Sequence, residues 1–120
     1  MIVAGFGFRA SATRDSLHDA FTLTAVAKVD AIATPADKAQ SKTLQAFAKK
    51  LDLPILEIDA SAMQSMATRT QSSKVHEKRG TGSVAEACAL AALANATLAI
   101  PRVISTDRLA TCAIAKGAPL

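Results

Sequence analysis

The chain has 120 residues, of which 50% are hydrophobic but only 3% aromatic, with no Trp and no Tyr. Its formal net charge is +4, and its pI lies near 9.4. This length fits one domain over residues 1–120 with a core of Ala, Val, Leu and Ile, the scarcity of aromatic rings excludes platforms for stacking nucleic-acid bases, and the small basic excess suits an acidic small molecule rather than nucleic acid.

No apolar run reaches the ~18 residues of a membrane span. The chain opens on a strand-like segment with no basic leader, so a cytoplasmic protein is expected. Cys88 falls in a helical pattern and Cys112 in a strand-like one, and both read as buried free thiols. One cysteine pair and two scattered histidines form no metal-ligand spacing, so neither a metal nor a cofactor is expected.

Met1 to Phe8 is apolar apart from Gly5 and Gly7, the pattern of a strand buried on both faces. Gly7, Phe8 and Arg9 fall at its carboxyl end, where a guanidinium can clamp a carboxylate through two hydrogen bonds. The same Arg9 is equally an ordinary solvated side chain. Gly5-Phe6-Gly7 lacks the third glycine of a dinucleotide fingerprint, and no acidic residue closes the next strand, so nothing here calls for a nucleotide. Ser11 or Thr13 caps a helix from Thr13 to Leu23, with Leu17, Ala20, Phe21 and Thr24 on its inner face.

Val29 to Thr34 reads as a second strand, stopped by Pro35. Thr34 and Lys38 then bound a charged loop. Ser41 caps a helix reaching Leu51, with Leu44, Phe47, Ala48 and Leu51 as its stripe. Leu53-Pro54 leads into a third strand, Ile55 to Ile58. Asp59 to Ala67 reads as a short helix with Met63 and Met66 inward. Thr68 to Arg79 is polar and basic, without an apolar pattern, and reads as a long loop, either a functional lid or a disordered segment, mobile when nothing is bound. His76 within it reads as a surface histidine.

Gly80-Thr81-Gly82-Ser83-Val84-Ala85-Glu86 opens a helix expected to reach Asn95. Ser83 stands three residues before Glu86, the spacing of a capping box. A helix start of this kind holds free amides and a partial positive charge, so it binds anions. Glu86 is the acid–base candidate, although capping explains it as well. Thr97 to Ile100, Arg102 to Ser105 and Ala110 to Ala115 are strand-like. Pro101 either separates the first two or bends a single strand. Thr106-Asp107-Arg108 is turn chemistry between hairpin strands, and Gly117 to Leu120 reads as a frayed tail.

Summed, the order predicts an α/β fold: a three-layer α/β/α sandwich around a mostly parallel sheet of about five strands, with an antiparallel C-terminal hairpin. Ligands of such sheets bind beyond the carboxyl ends of the strands. That edge would gather Gly7, Phe8, Arg9, Thr34, Lys38, Gly80, Thr81, Gly82, Ser83 and Glu86.

Four stretches resemble the CobE / CbiG C-terminal domain family of cobalamin biosynthesis. Gly5-Phe6-Gly7-Phe8-Arg9 is similar to the family's opening strand, and Ala33-Thr34-Pro35-Ala36-Asp37-Lys38 to its second strand and lysine loop. Leu51-Asp52-Leu53-Pro54-Ile55 is similar to its Leu-Gly-Leu-Pro approach to strand three. Gly80 to Ala87 resembles its Gly-Thr-x-Ser-Val-Ala-Glu-Ala helix start. Phe8 stands where many relatives have Cys, which removes a thiol nucleophile, and Asp52 replaces a glycine. With no domain before the match, the stand-alone CobE type is expected.

The resemblance implies a tetrapyrrole ligand, a precorrin intermediate whose carboxylate arms surround an apolar ring. It also implies other cobalamin-pathway enzymes as partners. Two functions follow: a carrier or accessory protein that binds the intermediate, or an enzyme acting on it. The second would be a lactone hydrolase or a C–C bond-cleaving enzyme, as fused CbiG relatives open a ring lactone and release acetaldehyde.

Overall fold

The apolar run Ile2–Phe8 is strand β1, at the centre of a computed structural model that describes residues 1–66 and 83–120. The other elements are α1 (Arg14–Leu23), β2 (Ala31–Pro35), α2 (Lys42–Leu51), β3 (Ile55–Ile58), α3 (Ala60–Ser65), α4 (Val84–Ala91), β4 (Leu93–Ile104) and β5 (Ala110–Pro119). The sheet order is β3-β2-β1-β5-β4. Strands β1, β2 and β3 are parallel, while β5 runs antiparallel to both β1 and β4. The result is a mixed five-stranded sheet closed by an antiparallel C-terminal hairpin.

Alternation along β1 builds two cores. Ala4 and Phe6 pack against Leu17 and Ala20 of α1 and Leu44, Phe47 and Ala48 of α2. Val3 packs on the opposite face with Cys88, Ala89 and Leu90 of α4, and Met63 of α3 packs against the same cluster. Helices therefore cover both faces. Phe6 and Phe47 meet edge to face at 5.4 Å. Each fully buried Leu or Phe in these layers contributes about 1.5–3 kcal/mol of transfer free energy.

Gly5 sets the spacing of the second layer. A Cβ there would fall 2.0 Å from the Ala85 carbonyl oxygen and 2.9 Å from Ala89 Cβ. The alanine-rich helix thus lies directly on the β1 backbone, and Ala85 to Leu90 are all buried.

The helix starts follow the capping chemistry. Thr13 and Ser16 form a reciprocal capping box on α1, Ser41 Oγ accepts the Leu44 amide, and Asp59 accepts the Ala62 amide. Asp52 ends α2 in the left-handed conformation at φ 57°, the geometry a glycine adopts without strain.

Two expectations are corrected, and the open alternative at Pro101 is decided for a single strand. The helix from Val84 ends at Ala91, because Asn95 takes φ 53° as part of a bulge inside β4 rather than as a helix cap. Pro101 does not divide the strand, since β4 is an edge strand and a missing amide is tolerated there. Residues 117–119 are not a tail: Pro119 pairs with Leu93, and the Gly117 amide donates to Met1 O at 3.1 Å. The expected loop at 68–79 lies outside the described residues.

Candidate functional site

Three parallel strands deliver their carboxyl ends to one edge. The β4–β5 turn reaches the same edge because β5 lies antiparallel to β1, with Gly7 opposite Thr111 and Phe8 opposite Ala110. The start of α4 arrives there too: a Cβ on Gly7 would lie 3.4 Å from the Val84 side chain. Between these segments is a cleft of about 620 Å³. Gly7, Phe8 and Arg9 line it from the end of β1, Pro35, Asp37 and Lys38 from the end of β2 and the loop after it, and Ser83 and Val84 from the start of α4. Arg102 and Ile104 complete it from β4, and Arg108, Leu109 and Thr111 from the turn and β5.

The lining is cationic. Arg9, Lys38, Arg102 and Arg108 face a single carboxylate, Asp37, among the described lining residues. Lys38 Nζ lies 5.4 Å from the centre of the Phe8 ring, a cation–π contact that steers the ammonium to the cleft mouth. Ser83 Oγ accepts the Glu86 amide at 3.3 Å, which leaves the positive end of the α4 dipole toward the same space. Phe8, Val84, Ile104 and Leu109 add apolar wall. Chemically, this combination is complementary to an acidic ligand with an apolar body.

The turn carrying Arg108 is clamped to α1. Ser16 Oγ donates to Asp107 Oδ2 and Ser105 Oγ to Asp107 Oδ1, each at 2.6 Å, and the Leu109 amide donates to Oδ1 at 3.0 Å. These hydrogen bonds, Ser105 first and Ser16 second, hold the Asp107 carboxyl below its ordinary range. Asp19 accepts the Thr106 amide at 2.6 Å. Arg108 itself takes φ 63°.

Of the residues singled out in the sequence, Gly7, Phe8, Arg9, Lys38 and Ser83 converge on the cleft. Thr34 is fully buried beneath it and donates to Phe6 O at 3.2 Å, tying β2 to β1. Glu86 is likewise fully buried, and its Oε2 accepts the Arg102 amide at 2.9 Å. Gly80, Thr81 and Gly82 lie outside the described residues. Sequence reasoning missed Arg102 and Arg108, read as strand and turn residues. Their signal depended on β5 pairing with β1, which brings the hairpin turn beside Arg9.

Neither thiol reaches the cleft. Burial and the Asp37 charge push Cys88 up to about 12, and burial pushes Cys112 up as well. They sit in the cores on opposite faces of the sheet. Among the described residues no group of His, Cys, Asp and Glu could hold a metal ion, and no helix is long and apolar enough to cross a membrane.

The family model of the cobalamin synthesis G C-terminus matches residues 2–115. The fold is similar to that of CobE, a protein from the cobalamin (vitamin B12) biosynthetic pathway, with a TM-score of 0.80, 22% identity, and coverage of 100% of this chain and 92% of that one. The cobalamin biosynthesis protein chiG from Agrobacterium tumefaciens str. C58 is 32% identical, with a TM-score of 0.74 and 98% of each chain covered. A cobalamin biosynthesis protein G homolog from Sulfolobus solfataricus shares the fold at 18% identity and a TM-score of 0.70, where 95% of this chain spans 36% of that one. No curated protein matches the sequence.

Proposed function

The chain belongs to the cobalamin synthesis G C-terminus family and is a cobalamin-pathway protein; from that premise we propose that it binds a polycarboxylate precorrin intermediate in the cleft at the carboxyl edge of its sheet. Its role is that of a cytoplasmic carrier or accessory protein that hands the intermediate between pathway enzymes. One observation carries this reading: Arg9, Lys38, Arg102 and Arg108, together with the start of α4, surround a cleft whose remaining wall is largely apolar. A ring bearing carboxylate arms presents the complementary surface, with charge at the periphery and an apolar body at the centre.

The geometry favours holding the ligand over transforming it. Glu86, the acid–base candidate, is engaged with the Arg102 amide beneath the wall, and both thiols are held protonated in the cores.

The test is calorimetric titration of the full chain with cobyrinic acid, a corrin with free carboxylate arms, followed by mass spectrometry of the recovered ligand. Binding with unchanged ligand mass is expected. The R9A variant should weaken it about tenfold or more, the loss of a hydrogen bond between charged groups. Raising the salt concentration should weaken it further. Absence of binding would overturn the reading, and a changed ligand mass would replace the carrier with an enzyme.

A further inference from the structure

Arg102 reaches the cleft only because β4 is irregular. Ile100 and Val103 both pack on the α1/α2 face and pair with Ile114 and Cys112. The partners are two residues apart in β5, whereas Ile100 and Val103 are three apart in β4, so β4 carries one extra residue there. Strict alternation would send Arg102 to the face that Ile100 occupies. The extra residue turns it to the opposite face, where it lines the cleft beside Ser83 and Val84.

The bulge also removes Arg102 from the paired register, and Pro101 before it supplies no amide. The displaced Arg102 amide donates instead to Glu86 Oε2 at 2.9 Å. Glu86 is 0% exposed and lies one turn into α4, and a carboxylate is retained at such depth only when hydrogen-bonded.

We infer that Glu86 is a positioning residue: by holding the Arg102 amide at the bulge, it turns Arg102 into the cleft, and Arg102 so placed grips a carboxylate of the ligand. The inference rests on the ligand reading above.

The full chain and its R102A, E86A, E86Q and E86A/R102A variants are titrated with cobyrinic acid at several salt concentrations. R102A should weaken binding about tenfold to a hundredfold and flatten its salt dependence. E86A should do the same, and should add nothing once Arg102 is gone. E86Q, whose amide oxygen still accepts the Arg102 amide, should restore most of the affinity. An E86A effect as large in the R102A background as alone, or no rescue by E86Q, overturns the inference. Should E86A not fold, amide hydrogen exchange of the unaltered chain decides: the Arg102 amide must be protected like the paired amides of β5, and free exchange overturns the role. Failure of the unaltered chain to bind at all overturns the ligand reading itself, a result distinct from additive variants on a protein that binds.

Discussion

Replacing Gly5 by Ala tests how closely α4 rests on the sheet. The new Cβ would lie 2.0 Å from the Ala85 carbonyl oxygen, 2.8 Å from Ala89 N and 2.9 Å from Ala89 Cβ. Two of these atoms are backbone, so no rotamer change relieves the contact, and the helix must retreat by about an ångström or more to reach ordinary separation. Retreat is resisted because α4 is packed against β1, β2, β4, β5 and α3 at once. Overpacking of this kind costs about 1–3 kcal/mol and sometimes more, and a backbone clash belongs at the upper end. The reduced entropy of the unfolded chain returns at most about 1 kcal/mol. For a domain of this size the net loss lowers Tm by about 8–12 °C. Gly7→Ala is the control, since the nearest atoms to its Cβ belong to side chains, Thr111 Oγ1 at 3.0 Å and Val84 at 3.4 Å, the latter an ordinary packing distance. Thermal melts followed by circular dichroism read both variants. A Gly5→Ala protein melting within two or three degrees (roughly the effect of a surface change) of its parent would refute the close approach, as would a larger drop for Gly7→Ala.

Asp52→Gly should raise stability by about 0.5–1 kcal/mol in urea melts, because φ 57° strains an Asp and suits a Gly. Asp107→Asn should be destabilising at neutral pH. The folded carboxyl lies below its unfolded value, so its contribution is complete above about pH 4 and fades as pH falls through the lowered folded value. The difference between parent and variant should therefore shrink in urea melts taken below pH 4, and a constant difference would show that the charge is not what the three hydrogen bonds hold. Cys88 and Cys112 should resist a thiol reagent at pH 8 in the native protein and react in denaturant, since both are fully buried with raised thiol pKa values.

Local signals carried most of the element assignments. Ser41 and Ser83 cap the helices that their sequence contexts suggest, and the stripe Leu44, Phe47, Ala48 is the buried face of α2. What stayed hidden was non-local. Asn95 reads as a helix stop in isolation, but its left-handed backbone serves a bulge that exists only because β5 lies alongside. Arg102 and Arg108 join the site through the pairing of β5 with β1, a contact across about a hundred residues that no window of sequence contains. The role of Glu86 was half visible. Its amide is capped by Ser83 as the spacing implies, yet its carboxylate reaches across to β4, which helix chemistry alone does not predict.

The strand order has a kinetic corollary. β1 is flanked by β2 on one side and by β5, the C-terminal strand, on the other. Seven residue pairs join Ile2–Phe8 to Ala110–Lys116, so the middle of the sheet closes only after almost every other element has emerged. Until then the nascent β1 presents an open row of amides and carbonyls, the kind of surface that recruits strands from other chains. Pairing over such sequence distances favours slow folding, in milliseconds to seconds, and makes the interval before the hairpin docks the period of greatest aggregation hazard.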